Sequence, residues 1–166
     1  MKPGWMRVAL VMALTAAPAA AQNLIAQDGW EGFAMRDANN KFDRCVLYNR
    51  TVAALTISPY GMLGITRDAA GHMGLLVFYD PRALTRGKTT VRIKLDQRPA
   101  AALPGDALSD FHVDVPVLDP DTVAALRTAK TLEAMADGHT IRFDLNHVGD
   151  VLDHLDTCVK IYGPKS

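Results

Sequence analysis

"TTVRIKLD", Thr89–Asp96, is the stretch that decides the fold. Val91, Ile93 and Leu95 alternate with Arg92, Lys94 and Asp96. A period of two with one polar side describes a strand buried on one face and wet on the other, the pattern of an antiparallel sheet. A strand of a parallel sheet, covered on both faces, would read as an unbroken apolar run.

The same signal continues outward from this strand. "FHVDVPV" (111–117) alternates, with Phe111, Val113, Val115 and Val117 expected inward and Asp110, His112 and Asp114 on the polar side. Pro116 there marks a strand end or a sheet edge. "TLEAM" and "TIRFDL" flank "ADGH", whose Asp137-Gly138 pair is a hairpin signal. Toward the front, "GWEGFAMRD", "DRCVLYNR", "TVAALTISP", "MLGITRD" and "LLVFYD" read as strands, with "AAGHMG" as a Gly-rich turn. "QRPAAALPGDALSD" (97–110), with two prolines and a glycine, reads mostly as loop. "DPDTVAALRTAK" reads as a short helix capped by Asp119 or Asp121, and "HVGDVLDHLDTCVK" as a closing helix over about 146–160. The sum is roughly eight short strands and two helices, with strands following strands. This predicts a mainly β, β-rich α+β domain: an antiparallel sandwich or partly open barrel whose last helix is C-terminal.

The first residues, "MKPGWMRVALVMALTAAPAAAQ", have a basic start, a short apolar run from Val8 to Leu14, and Ala19 and Ala21 before Gln22. That is the layout of a secretory signal peptide over residues 1–21, and the run is too short to span a membrane. Cleavage would leave residues 22–166 as a single β-rich domain, long enough to bury a core. Losing Lys2 and Arg7 leaves 16 basic against 18 acidic residues. Such a balance exerts no general pull on nucleic acid or anionic lipid. The expected location is periplasmic or secreted, with no membrane span after cleavage.

The chain holds two cysteines, Cys45 and Cys158. In an oxidising compartment a lone pair is expected to form a disulfide. Cys45 as a free nucleophile is the weaker alternative, since it needs a reduced thiol there. On a helical wheel Val148, Val151, Leu152, Leu155 and Val159 form an apolar arc with Cys158 at its border. His147, Asp150 and His154 lie just beyond that border, close enough to be candidate metal ligands, although a wet helix border explains them as well. His112 between Asp110 and Asp114 could act as a general base, or belong to a solvated strand face. "SPYGML" and "AAGHMG" place Tyr60, Met62, His72 and Met73 at expected turn tips, as candidate contact residues. Isolated exposed apolar side chains are otherwise ordinary.

Coherent catalytic sets are missing. No serine sits in Gly-x-Ser-x-Gly, and Glu31 and Glu133 are the only glutamates, which excludes a paired-glutamate glycosidase. "DPDTV" lacks the glycine and closing glutamate of a calcium loop, and no Gly-rich phosphate loop is present. Asn49-Arg50-Thr51 matches a glycosylation sequon.

Gly29-Trp30, the strand "RCVLYN", mid-chain "VRIKLD", and "TIRFDL" followed by a helix ending "LDTCVKIYG" together resemble small exported proteobacterial proteins of the invasion-associated locus B type. The chain departs from that pattern in lacking a "GDW" opening and in having a single cysteine pair. The resemblance implies a β-rich, disulfide-tied periplasmic or secreted protein with no known catalytic residues. The expected function is a non-enzymatic binding or envelope-associated module without a cofactor, its partner a protein or envelope component. The alternatives are a metal-dependent or acid/base hydrolase using His112, His147 or His154, and a secreted inhibitor of a hydrolase.

Overall fold

The structure, a computed structural model, describes residues 25–27, 29–49, 61–79 and 84–165. The signal-like segment, the expected strand "TVAALTISP" and Tyr60 lie outside the described residues. Among the described residues ten strands join in one antiparallel sheet: β1 (Ile25–Gln27), β2 (Trp30–Arg36), β3 (Phe42–Asn49), β4 (Leu63–Asp68), β5 (Met73–Phe78), β6 (Gly87–Leu95), β7 (Ala101–Ala107), β8 (His112–Val115), β9 (Thr131–Ala136) and β10 (His139–Asp144). Their order is β1-β2-β3-β4-β5-β8-β7-β6-β9-β10. Among the described residues the sheet is continuous and does not close, so the open-barrel alternative describes it and a two-sheet sandwich does not.

Alternation sets the inner face. In β6, Val91, Ile93 and Leu95 are buried while Arg92 is exposed, as the opening stretch predicts. Register extends this across strands: Leu47 of β3 opposes Ile65 of β4, which opposes Leu75 of β5, which opposes Val115 of β8. All belong to one apolar core. Helix α2 (Val148–Tyr162) packs on β2, β3 and β4 with Val148, Val151, Leu152 and Leu155 buried. Cys158 of α2 and Cys45 of β3 are joined in a disulfide, with Cα atoms 6.2 Å apart.

The sheet curls until its two ends meet through side chains rather than a ladder. Trp30 Nε1–H donates to Asn146 O at 3.0 Å, and Asn49 Nδ2–H donates to Asp144 O at 2.7 Å. This seam fixes Trp30, which is 1% exposed and among the largest buried side chains.

Turn and cap chemistry follow the sequence closely. Asp137 and Gly138 both have positive φ (48° and 79°), the geometry of a type I′ hairpin turn between β9 and β10. Asp119 caps α1 (Pro120–Leu126), accepting from Thr122 N at 2.9 Å. α2 begins at Val148 after His147, a left-handed residue (φ 58°) that makes no side-chain cap.

Three expectations need correction. Residues 101–107 form a strand, not a loop. Pro104 is tolerated because β8 pairs only with Asp106 and Ala107, which leaves one side of β7 an open edge at Pro104. Phe111 and Val117 do not face inward: β8 starts at His112 and stops before Pro116, so the alternation does not extend to them, and Val117 is 48% exposed. Met73 is no turn tip but the first residue of β5, buried in the core opposite Arg67.

Candidate functional site

The outer face of β2–β3–β4–β5–β8 is not an ordinary wet face. Tyr48, Gly64, Leu76 and Asp114 oppose one another in turn across β3, β4, β5 and β8. Gly64 leaves the space that the Tyr48 ring covers: a Cβ there would lie 3.0 Å from Tyr48 Cε1 and from Leu76 Cβ. Around this bare spot runs an aromatic row. Ring centroids are 5.5 Å apart for Phe33–Tyr48, 6.0 Å for Tyr48–Phe78 and 6.4 Å for Phe78–Phe111. These spacings are those of favourable aromatic pairs. The His112 ring lies flat on Phe78, with centroids 4.4 Å apart and planes within 9°.

Arg44 straps the row. Its Nε–H donates to Asp43 Oδ2 at 2.9 Å and its Nη1–H to Asp114 Oδ2 at 3.2 Å, so it reaches from β3 to β8 across two intervening strands. Thr66 and Gly74 oppose each other on those strands, and Gly74 could not be larger, since a Cβ there would fall 2.5 Å from Val115 O. A cleft of about 360 Å³ opens beside the strap, lined by Asp43, Arg44, Thr66, Asp68, His72 and Pro116. His72 Nδ1 lies 3.0 Å from Asp68 Oδ2.

The electrostatics follow from this packing. Burial pushes the His112 imidazole below its usual range, against the opposite pull of Asp114. Burial pushes the Tyr48 phenol up, and Asp114 adds to it while Arg44 opposes. Burial alone would pull Arg44 down, but Asp114 and Asp43 hold it above its usual value. Two atoms stand out: His112 Nε2 and Asp114 Oδ1 are sealed from solvent with no hydrogen-bond partner among the described residues.

The other sequence candidates scatter. His147 Nδ1 and Asp150 Oδ2 are 3.8 Å apart on the exposed start of α2, and His154 is half-buried farther along it. α2 packs on the inner face, whereas His112 opposes Phe78 on the outer face, so the three histidines do not converge. Among the described residues no group of three His, Cys, Asp or Glu side chains is placed to hold a metal. Met62 is half-buried next to β4, and His72 is exposed at the cleft. Asn49 is buried in the seam with its amide committed to Asp144 O, which leaves the sequon no accessible acceptor. The residues missed in the sequence are Arg44 and Tyr48; only their outward phase opposite Cys45 and Leu47 on β3 signals them.

An open, curled antiparallel sheet with a disulfide-bonded C-terminal helix is thus the class of fold that carries this face. A solved structure shares it: the crystal structure of invasion associated protein B from Bartonella henselae is 18% identical in sequence, with a TM-score of 0.57 over 80% of this chain and 94% of that one. Likeness at that identity establishes the fold. No protein-family model matches the sequence, and no curated protein matches it.

Proposed function

We propose that this chain is an exported, non-enzymatic module that binds a protein or envelope component through the outer face of its sheet. The observation that carries this reading is the aromatic row strapped by Arg44, on a face where the strand pattern alone asks only for solvated side chains. Export is supported by the signal-like start and by a disulfide suited to an oxidising compartment. The Bartonella protein of the same fold is named invasion-associated, which supports an envelope-associated or secreted role. The separation of His112 from His147 and His154 leaves the hydrolase reading without a composite site.

Affinity capture from envelope extracts tests the proposal, comparing the wild-type chain with Tyr48→Ala and Arg44→Ala variants of unchanged circular dichroism. Loss of the captured component in both variants is the expected result. Capture indifferent to both substitutions, or a stoichiometric metal lost in a His147→Ala/His154→Ala variant, overturns it.

A further inference from the structure

A second groove, of about 400 Å³, opens between the β4–β5 turn and α1. It shares only His72 with the cleft beside Arg44. Its floor is apolar: Met73 and Leu118 are both buried, and Leu118 N–H donates to Met73 O at 2.7 Å. Pro120, Val123 and Ala124 bring the apolar side of α1 to it. The volume is that of a small-molecule site rather than of a macromolecular interface.

The charge around this groove has one sign. Arg67 of β4 and Arg127, the C-cap of α1, line it, and among the described residues no Asp or Glu does. Both arginines are held by α2. Arg67 Nε and Asp156 Oδ1 are 2.9 Å apart, a charge contact without hydrogen-bond geometry, and Arg127 Nη1–H donates to Asp153 Oδ1 at 2.9 Å. Residues three apart on a helix are neighbours, about 5–6 Å between Cβ atoms, so the guanidinium groups that Asp153 and Asp156 hold are brought together. Each guanidinium has five N–H donors in a planar fork, and the contact to α2 occupies one edge of it. Arg67 Nη2 lies toward the turn, 3.7 Å from where a Cβ on Gly71 would stand, and Gly71 lines the groove. The acids of the adjoining turns are committed elsewhere, Asp68 to His72 and Asp119 to Thr122.

We propose that this groove binds an amphiphilic carboxylate: an apolar body of medium-chain length on Met73, Leu118 and Val123, with its head group taken by the free N–H groups of Arg67 and Arg127. Each part of the groove selects against a simpler ligand. An inorganic anion would satisfy the guanidinium groups but leave the apolar floor wet. A neutral alcohol of the same length would cover the floor and forgo the charge-assisted hydrogen bonds, which are about twice as strong as neutral ones. An amine would meet two cations and no acid. The site is separate from the aromatic row and goes beyond the binding role proposed for the outer face.

Nuclear magnetic resonance on the folded, disulfide-bonded protein, titrated at neutral pH with sodium octanoate, tests the site. The Met73 methyl and the Arg67 and Arg127 Nε–H resonances should shift together along one saturating curve. Octanol and inorganic phosphate should each bind at least about tenfold more weakly, the loss expected when a charge-assisted hydrogen bond goes unmade or the floor stays wet, and octylammonium should leave all three resonances in place. Arg127→Gln should weaken octanoate by at least about tenfold. That variant also removes a tie to α2, so Ala124→Glu is the second test: Ala124 is exposed on α1, both ties stay intact, and an acid on the groove wall should abolish octanoate binding. Octanol or phosphate binding as tightly as octanoate, octylammonium shifting the same resonances, or octanoate binding unchanged in Ala124→Glu overturns the proposal, as does octanoate moving only Tyr48 and Phe78. The capture test through Tyr48 and Arg44 can succeed or fail independently of each of these results.

Discussion

The inner and outer faces of β3 achieve burial by different means. Inward, Cys45 and Leu47 sit beneath a helix, and Cys45 is tied to it covalently. Outward, Val46 is 1% exposed, yet what covers it comes from its own face: it opposes Phe33 on β2 and Thr66 on β4. Leu76, 5% exposed, is shielded in the same way opposite Gly64 and Asp114. A layer covered by another element resists rearrangement because every side chain is held from two sides. A layer covered by neighbouring rings and the stem of an arginine can repack without unfolding. The difference marks the outer face as the adaptable one.

The largest test of this contrast is covalent. Cys45→Ala/Cys158→Ala should cost about 4–5 kcal/mol in urea unfolding, the chain-entropy estimate for a loop this long. Mass spectrometry without reductant should meanwhile show the wild-type cysteines linked. Next, Leu152→Ala under the sheet should cost about 2–5 kcal/mol, and Phe33→Ala on the outer face only about 1–2 kcal/mol for partial burial. Equal losses would make the outer face a second core and remove its claim to be a binding surface. Gly64→Ala should cost about 1–3 kcal/mol by overpacking and displace the Tyr48 ring, visible in near-ultraviolet circular dichroism.

Acid should act on the outer face first. The folded-state value of His112 is depressed, so its stabilisation is complete above the ordinary value of 6.5 and is lost as pH falls from there through the lower folded value. Asp68 and Asp119, also depressed, lose their contributions only as pH falls below the ordinary carboxylate value of 3.8. Urea midpoints against pH should show the upper step disappear in His112→Asn and the lower one remain. The smallest effect is a gain: His147→Gly should stabilise by about 0.5–1 kcal/mol, because glycine adopts the left-handed conformation without strain. A loss there would show that the His147 side chain, with Nδ1 3.8 Å from Asp150 Oδ2, contributes more than its backbone strain costs.

The sequence specified the inner face well and the outer face poorly, for one physical reason. Period two at Val91, Ile93 and Leu95, the Asp137-Gly138 turn, the Asp119 cap and the apolar arc of α2 are local signals, each complete within a few residues. β7 escaped because tolerance of Pro104 depends on where β8 stops, a fact of pairing between distant strands. The outer-face site escaped for the same reason: Arg44 and Asp114 lie 70 positions apart, and only the strand order brings them together. His147, Asp150 and His154 looked like a site because they are near in sequence, where proximity is a property of any helix.

The seam and the disulfide have a consequence in time as well as in space. Trp30 awaits Asn146, Asn49 awaits Asp144, and Cys45 awaits Cys158, over separations of 116, 95 and 113 residues. A chain threaded through a pore amino end first would deliver β2, β3 and β4 long before the helix that covers them. Those strands would wait with their apolar side uncovered until the last residues emerged. For a chain delivered that way, the native state would be acquired at the end of delivery, and the closing helix would be the step that commits it.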